Sequence, residues 1–180
     1  MPTGIVDPSR RNAIARAAIE VVASSGVEGL THRAVAAAAK VPLGSTTYHF
    51  ASREDLLTAA VEEAKRDWDA FLKSWSDGLD SPDLAVALTA LLTDYTGANR
   101  ARVIVEYELY IAALRRPSLR KISHEWVDAL HGILLEYTEA HIAFALTLAF
   151  DGLVVRSLIS GEPSGFESAE KVFRQIADGR

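Results

Sequence analysis

Cysteine is absent from the 180-residue sequence. That excludes disulfides, thiolate metal centres and a cysteine nucleophile, and it fits a reducing compartment. Long apolar runs are missing too. The longest, from Ile142 to Phe150, is interrupted by Thr147 and is shorter than a bilayer span requires. The opening MPTGIVDPSRR has no apolar segment behind its charges, so no signal peptide is expected. A soluble, cytoplasmic protein without a membrane partner is the expectation. The sequence also lacks a Gly-rich phosphate loop and a G-x-S-x-G turn. No histidine has a glutamate three residues before it, as a carboxylate-bridged di-iron bundle would need. Neither an enzyme nor a cofactor is expected.

Apolar residues make up 49% of the chain, enough for a substantial core. The net charge is −5, which taken as an average disfavours a nucleic-acid partner, but the charge is unevenly placed. Residues 1–53 carry six basic side chains (Arg10, Arg11, Arg16, Arg33, Lys40, Arg53) against three acidic ones, or +3. The remaining 13 bases and 21 acids leave −8 on the rest. A basic head on an acidic body is the asymmetry expected when only the head meets a polyanion.

Periodicity after residue 8 is helical, with no sustained strand alternation. Asp7-Pro8 starts a helix whose stripe Ile14, Ala17, Ala18, Val21, Val22 ends near Ser25-Gly26, followed by a turn at Gly29-Leu30-Thr31. Thr31 caps a helix to Ala38, and Leu43–His49 forms the next. Ser52 caps a fourth that runs to about Trp75, with Glu54 and Asp55 in its first turn. Further helices are expected at 82–96, 99–115, 117–138, 140–160 and 166–178, with breaks at Pro117 and Ser160-Gly161-Glu162-Pro163. The fold class is all-α: a three-helix helix-turn-helix unit over residues 1–52, then a helical bundle over 53–180 for regulation and dimerisation.

The stretch LGSTTYHF at 43–50 carries the chemistry. Two short helices joined by a tight turn, the first nearly all alanine and the second rich in small polar side chains, form the pattern of a helix-turn-helix. A helix entering a major groove favours small or hydrogen-bonding side chains. Gly44 permits close backbone approach, and Ser45, Thr46 and Thr47 can bond phosphates or base edges. Tyr48 and His49 can reach phosphates, and Arg53 adds charge at the next helix start. Thr31, Arg33 and Leu43 complete the candidate contact set. Phe50 is expected in the core, and the alternative for His49 is a structural histidine.

The run LTHRAVAAAAKVPLGSTTYHFASREDLL resembles the DNA-binding segment of the tetracycline-repressor (TetR) family of transcriptional regulators. Leu30-Thr31, Val35-Ala36, Ala39, Val41, Gly44, Tyr48-His49-Phe50, Ser52, Arg53-Glu54 and Leu56-Leu57 carry the resemblance, over about residues 10–57. Beyond it, only helix number and order agree. Two positions depart from the pattern. Lys40 stands where the turn usually has glycine, so either a lysine is strained or the turn changes shape. Thr47 replaces the family's first aromatic and removes one phosphate contact. The resemblance implies a ligand-responsive regulator, a repressor more often than an activator, binding a palindromic double-stranded DNA operator as a homodimer. The alternative is a helical small-molecule-binding or adaptor protein with impaired DNA binding.

The resemblance also implies a body that dimerises and binds a small-molecule effector. The helices at 117–138 and 140–160 are the candidate dimer pair, through Trp126, Leu130, Leu134, Leu148, Asp151, Gly152, Val155 and Arg156, unless the second is buried within its own chain. Candidate effector residues are Trp68, Phe71, Tyr95, Glu106, Tyr107, Tyr110 and Trp126, because an apolar cavity with a few polar groups suits a small molecule. Aromatics at helical spacing also build plain core. His124, Asp128 and His131 share one helical face at a spacing that could hold a cation, or could form an ordinary polar row. No metal is assigned.

Overall fold

A computed structural model of the chain describes residues 8–80, 83–97, 99–161 and 166–179. Asp7, residue 82, Glu162 and Pro163, which the sequence reading used as boundary signals, lie outside the described residues. Helices and turns account for the described architecture: α1 (Pro8–Ser25), α2 (His32–Ala38), α3 (Leu43–His49), α4 (Arg53–Ser76), α5 (Leu84–Thr96), α6 (Arg100–Ala112), α7 (Arg120–Leu134), α8 (Ala140–Ser160) and α9 (Phe166–Ala177). Three 3₁₀ turns, at Val27–Gly29, Ala113–Arg115 and Pro117–Leu119, join them. The chain divides into two compact units, one of Met1–Asp67 with Ile104–His124, the other of Trp68–Val103 with Glu125–Arg180.

In the first unit α1 buries the expected stripe Ile14, Ala17, Ala18, Val21 and Val22. The helix gives way to Gly26, whose φ of 67° suits a residue without Cβ. The start of α4 is fixed by a reciprocal cap. Ser52 N–H donates to Asp55 Oδ2 at 2.9 Å, and Asp55 N–H donates to Ser52 Oγ at 3.1 Å, a capping box built on aspartate. Leu56, Leu57, Ala60, Val61 and Ala64 of α4 are buried. Beside them Glu63, also buried, accepts from Arg16 Nε of α1 at 2.8 Å and from Arg66. Burial pushes the Glu63 carboxyl up, but the bonds from Arg16 and Arg66 outweigh it and hold it below the usual carboxylate range.

In the second unit α5, α8 and α9 pack on one another. Leu88, Leu91 and Leu92 of α5, Leu146 and Val154 of α8, and Ala169 and Phe173 of α9 form that core. Asp83 Oδ1 caps α5 through the N–H groups of Ala85 and Val86, while Oδ2 accepts from Arg174 of α9 at 2.9 Å. Arg174 and the two capped amides hold the Asp83 carboxyl below its ordinary range.

Two expected helices are shorter than the sequence suggests. The 99–115 segment leaves the α-form after Ala112 and tightens into a 3₁₀ turn, because Arg116, which precedes Pro117, takes extended backbone (φ −130°, ψ 97°). The 117–138 segment opens with a second 3₁₀ turn and is α-helical only from Arg120 to Leu134. Its buried row Ser123, Trp126, Leu130, Leu134 ends there. Past Leu134 the chain turns, with Leu135 and Glu136 exposed.

Helix α8, at 21 residues, is long and apolar enough by length and composition to cross a bilayer. The count over Ile142 to Phe150 alone missed this. Its inner row, Ala143, Leu146, Thr147, Phe150, Val154 and Ser157, is buried in the second unit, as in a core helix. Its outer row is exposed.

Candidate nucleic-acid interface and effector site

Helices α2 and α3 form the helix-turn-helix of the first unit. Thr31 Oγ1 accepts from Ala34 N–H at 3.1 Å and caps α2 as expected. The turn that follows keeps its shape. Lys40 N–H donates to Ala37 O at 3.2 Å and Val41 N–H to Ala36 O at 3.0 Å, the paired bonds of a Schellman ending. Such an ending needs a left-handed residue, and Lys40 supplies it with φ 54°. The lysine is strained and the turn is preserved, at a cost of about 1–2 kcal/mol.

The candidate contacts divide by where their side chains point. Leu43, Gly44, Thr47 and Tyr48 are exposed, Tyr48 at 61%. Arg33 and Lys40 are exposed on the α2 side, and Ser45 and His49 are half-buried. Thr46 is fully buried, and its hydroxyl donates to Leu43 O at 2.8 Å and, more weakly, to His32 O at 3.5 Å. It ties α3 to α2, and its expected role toward a base or phosphate is corrected to a structural one. Arg53 is likewise engaged internally. Its Nε donates to Leu30 O at 2.8 Å and its Nη2 to Val27 O at 2.6 Å, with Glu28 at 3.4 Å. The guanidinium clamps the Val27–Gly29 turn instead of standing free at the head of α4. Phe50 is buried, with the Arg11 guanidinium 5.0 Å from its ring centre.

Gly44 is informative for what does not surround it. A Cβ built there meets nothing within 4 Å, and its φ is not positive. Neither packing nor backbone geometry requires a glycine at this exposed helical position, where glycine costs about 1 kcal/mol relative to alanine.

Three of the expected effector residues come together in the second unit. Trp68 lies 5.9 Å from Phe71 and 4.6 Å from Tyr95 between ring centres, and Phe71 stacks on Tyr95 at 5.6 Å. Phe150 of α8 joins at 6.3 Å from Tyr95, and Arg102 of α6 sets its guanidinium 5.6 Å from the Phe71 ring centre. Sequence reading missed both. A helical period reads Phe150 as one more residue of an apolar helix, and nothing in it aims one arginine at one ring. Trp68 Nε1 is buried without an acceptor. Glu106, Tyr107 and Tyr110 belong instead to the first unit, where Glu106 is buried and the two tyrosines meet edge-on at 6.1 Å. Trp126 is buried in the second unit.

Of the expected dimer residues, Trp126, Leu130 and Leu134 are buried in their own chain, so they cannot present an apolar face to a second copy. Leu148, Gly152, Val155 and Arg156 are exposed and Asp151 is half-buried. Phe144 and Ile159, the latter 82% exposed, extend this row along α8. Among the described residues no three His, Cys, Asp or Glu side chains gather as a metal site. His131 packs edge-on against Phe144.

Comparison with known proteins places both halves of the chain. Residues 14–60 match the profile of the bacterial regulatory proteins of the tetR family, and residues 79–179 match that of the tetracyclin repressor-like C-terminal domain. The HTH-type transcriptional regulator BetI of Burkholderia mallei (strain NCTC 10229) is 24% identical over 179 residues, covering 94% of this chain and 92% of its own. A member of the TetR family (SCO1917) from Streptomyces coelicolor A3 superposes with a TM-score of 0.84 at 40% identity, over 94% of this chain and 99% of that one. The multidrug binding protein EbrR, solved with ethidium, superposes at 0.83 and 40% identity over 93% and 98%. It was also solved with proflavin and with malachite green. With a helix-turn-helix at one end and a matched regulatory body behind it, the chain belongs to the tetR family of bacterial transcriptional regulators.

Proposed function

We propose that the protein is a cytoplasmic repressor that binds a palindromic operator as a homodimer and is released by a planar aromatic cation. The division of labour falls near Ser52, with residues 1–52 reading DNA and 53–180 binding effector and partner. The observation that carries the DNA reading is Gly44, a glycine for which the protein itself has no use. Its bare surface suits a phosphate or base edge approaching from outside. Leu43, Ser45, Thr47, Tyr48 and His49 surround that approach on α3, with Arg33 and Lys40 supplying charge. Thr31, exposed and already bonded to Ala34 N–H, can still donate its hydroxyl proton to a phosphate.

The exposed row Phe144, Leu148, Val155 and Ile159 on α8 supports a two-fold interface, with Gly152 allowing close crossing. Two heads held by that interface would read half-sites about 34–36 Å apart or a multiple of it. The four-ring cluster of Trp68, Phe71, Tyr95 and Phe150 supports an aromatic effector, and the dyes bound by EbrR support its positive charge. The effector acts by binding the DNA-incompetent state more tightly.

The test is a salt series of binding to the DNA upstream of the protein's own gene, with and without proflavin. Affinity should fall steeply with salt, as phosphate contacts demand, and fall again when proflavin is added. Binding that ignores salt would contradict the interface, and binding that ignores both proflavin and ethidium would contradict the effector class.

A further inference from the structure

Trp68, Tyr95 and Phe150 are buried, whereas Phe71 is only half-buried. Phe71 is therefore the ring at which the cluster meets the outside, and Arg102, in the first turn of α6, lies over it with its guanidinium 5.6 Å from the ring centre. A guanidinium is planar, delocalised and weakly hydrated, and within about 6 Å of an aromatic face it is held by the ring quadrupole.

Resting on the reading that the effector is a planar aromatic cation, we infer that Arg102 is an internal stand-in for the effector's charge. It occupies the Phe71 face that the effector takes, and the effector must displace it. Arg102 thereby sets a threshold and a selectivity. A small ammonium ion gains no more from the ring than the guanidinium already has, so it cannot win the exchange. A fused-ring cation gains stacking area on Phe71 as well as the charge–quadrupole attraction, and can. While displaced but nearby, Arg102 also repels any second positive charge, which raises the threshold further.

The experiment is fluorescence titration of the full-length protein with proflavin, comparing wild type with Arg102→Ala, Arg102→Gln and Arg102→Lys. Thermal melts accompany each variant. Removing the competing cation should tighten proflavin binding by about three- to tenfold in Arg102→Ala and Arg102→Gln. Arg102→Lys, which keeps a cation near the ring, should stay within about twofold of wild type. Two neutral replacements of different size separate loss of charge from any local loosening. Wild type that binds proflavin while both neutral variants bind it equally or more weakly would overturn the role of Arg102 and leave the effector class standing. Failure of all four proteins to bind either proflavin or ethidium would overturn the effector class itself.

Discussion

Helices α3 and α8 both expose residues that their own chain does not need on the surface, and the two sets have opposite chemistry. Helix α3 shows a bare Gly44, Thr47 and Tyr48, with Arg33 and Lys40 beside them. Helix α8 shows Phe144, Leu148, Val155 and Ile159 in one row, all of them apolar. An exposed polar face with positive charge is suited to a hydrated polyanion, and an exposed apolar face to another protein surface. The surplus on each surface names the class of partner that would cover it, before any partner is seen.

The comparison breaks most readily at α3. Gly44→Glu places a carboxylate in the open space beside the recognition helix, and should weaken operator binding by about a hundredfold or more. The dimer should persist in sedimentation. The reciprocal change is on α8, where Leu148→Glu with Ile159→Glu should shift the protein from dimer to monomer at micromolar concentration. Operator affinity should then drop by at least about tenfold, because two linked heads bind more tightly than one. If the α8 variant stays dimeric, the apolar row is not the interface.

Two smaller effects concern how the head is held. Glu63→Gln removes the buried charge between Arg16 and Arg66 and turns one of its two acceptor oxygens into a donor, and should cost about 1–2 kcal/mol in denaturant unfolding. The same carboxylate gives stability a pH dependence. Its pKa is lowered in the folded protein, so its contribution is present above the ordinary carboxylate range and is lost as pH falls through the folded value. Asp83 adds a contribution of the same sign through Arg174. Acid titration of stability should therefore be shallower in Glu63→Gln than in wild type. The smallest effect is at the turn. Lys40→Gly should relieve the left-handed lysine and stabilise the fold by about 1 kcal/mol. It should also weaken DNA binding slightly by removing one charge.

Much of this was legible in the sequence, and for identifiable reasons. The two ends of α1 are written in Pro8 and Gly26, and the starts of α2 and α4 in Thr31 and Ser52, each a residue whose preferred backbone or side-chain bond acts locally. The turn at Lys40 was legible as a conflict between a lysine and a left-handed position, and the structure resolves it in favour of the turn. Thr46 and Arg53 were not legible. A helical period tells that a threonine sits on α3, but not that the carbonyls of Leu43 and His32 wait on its inner side. Nor does it tell that the Val27–Gly29 turn directs two carbonyls at Arg53. The dimer residues on α7 failed for a related reason. Trp126, Leu130 and Leu134 form an apolar stripe, and a stripe shows that something covers it without showing whether the cover is the same chain or a second copy. Burial within the folded chain answers that for α7, whereas the candidates Leu148, Gly152, Val155 and Arg156 of α8 remain exposed.

The central claim is that the α3 surface reads a repeated DNA sequence through two linked heads. Selection of the full-length protein against a pool of random duplex DNA tests it without assuming a target gene. The account predicts enrichment of an inverted repeat with half-sites about one helical turn apart or a multiple of it, abolished in Gly44→Glu. A pool that emerges without any enriched sequence, or with one that Gly44→Glu enriches equally, would contradict it.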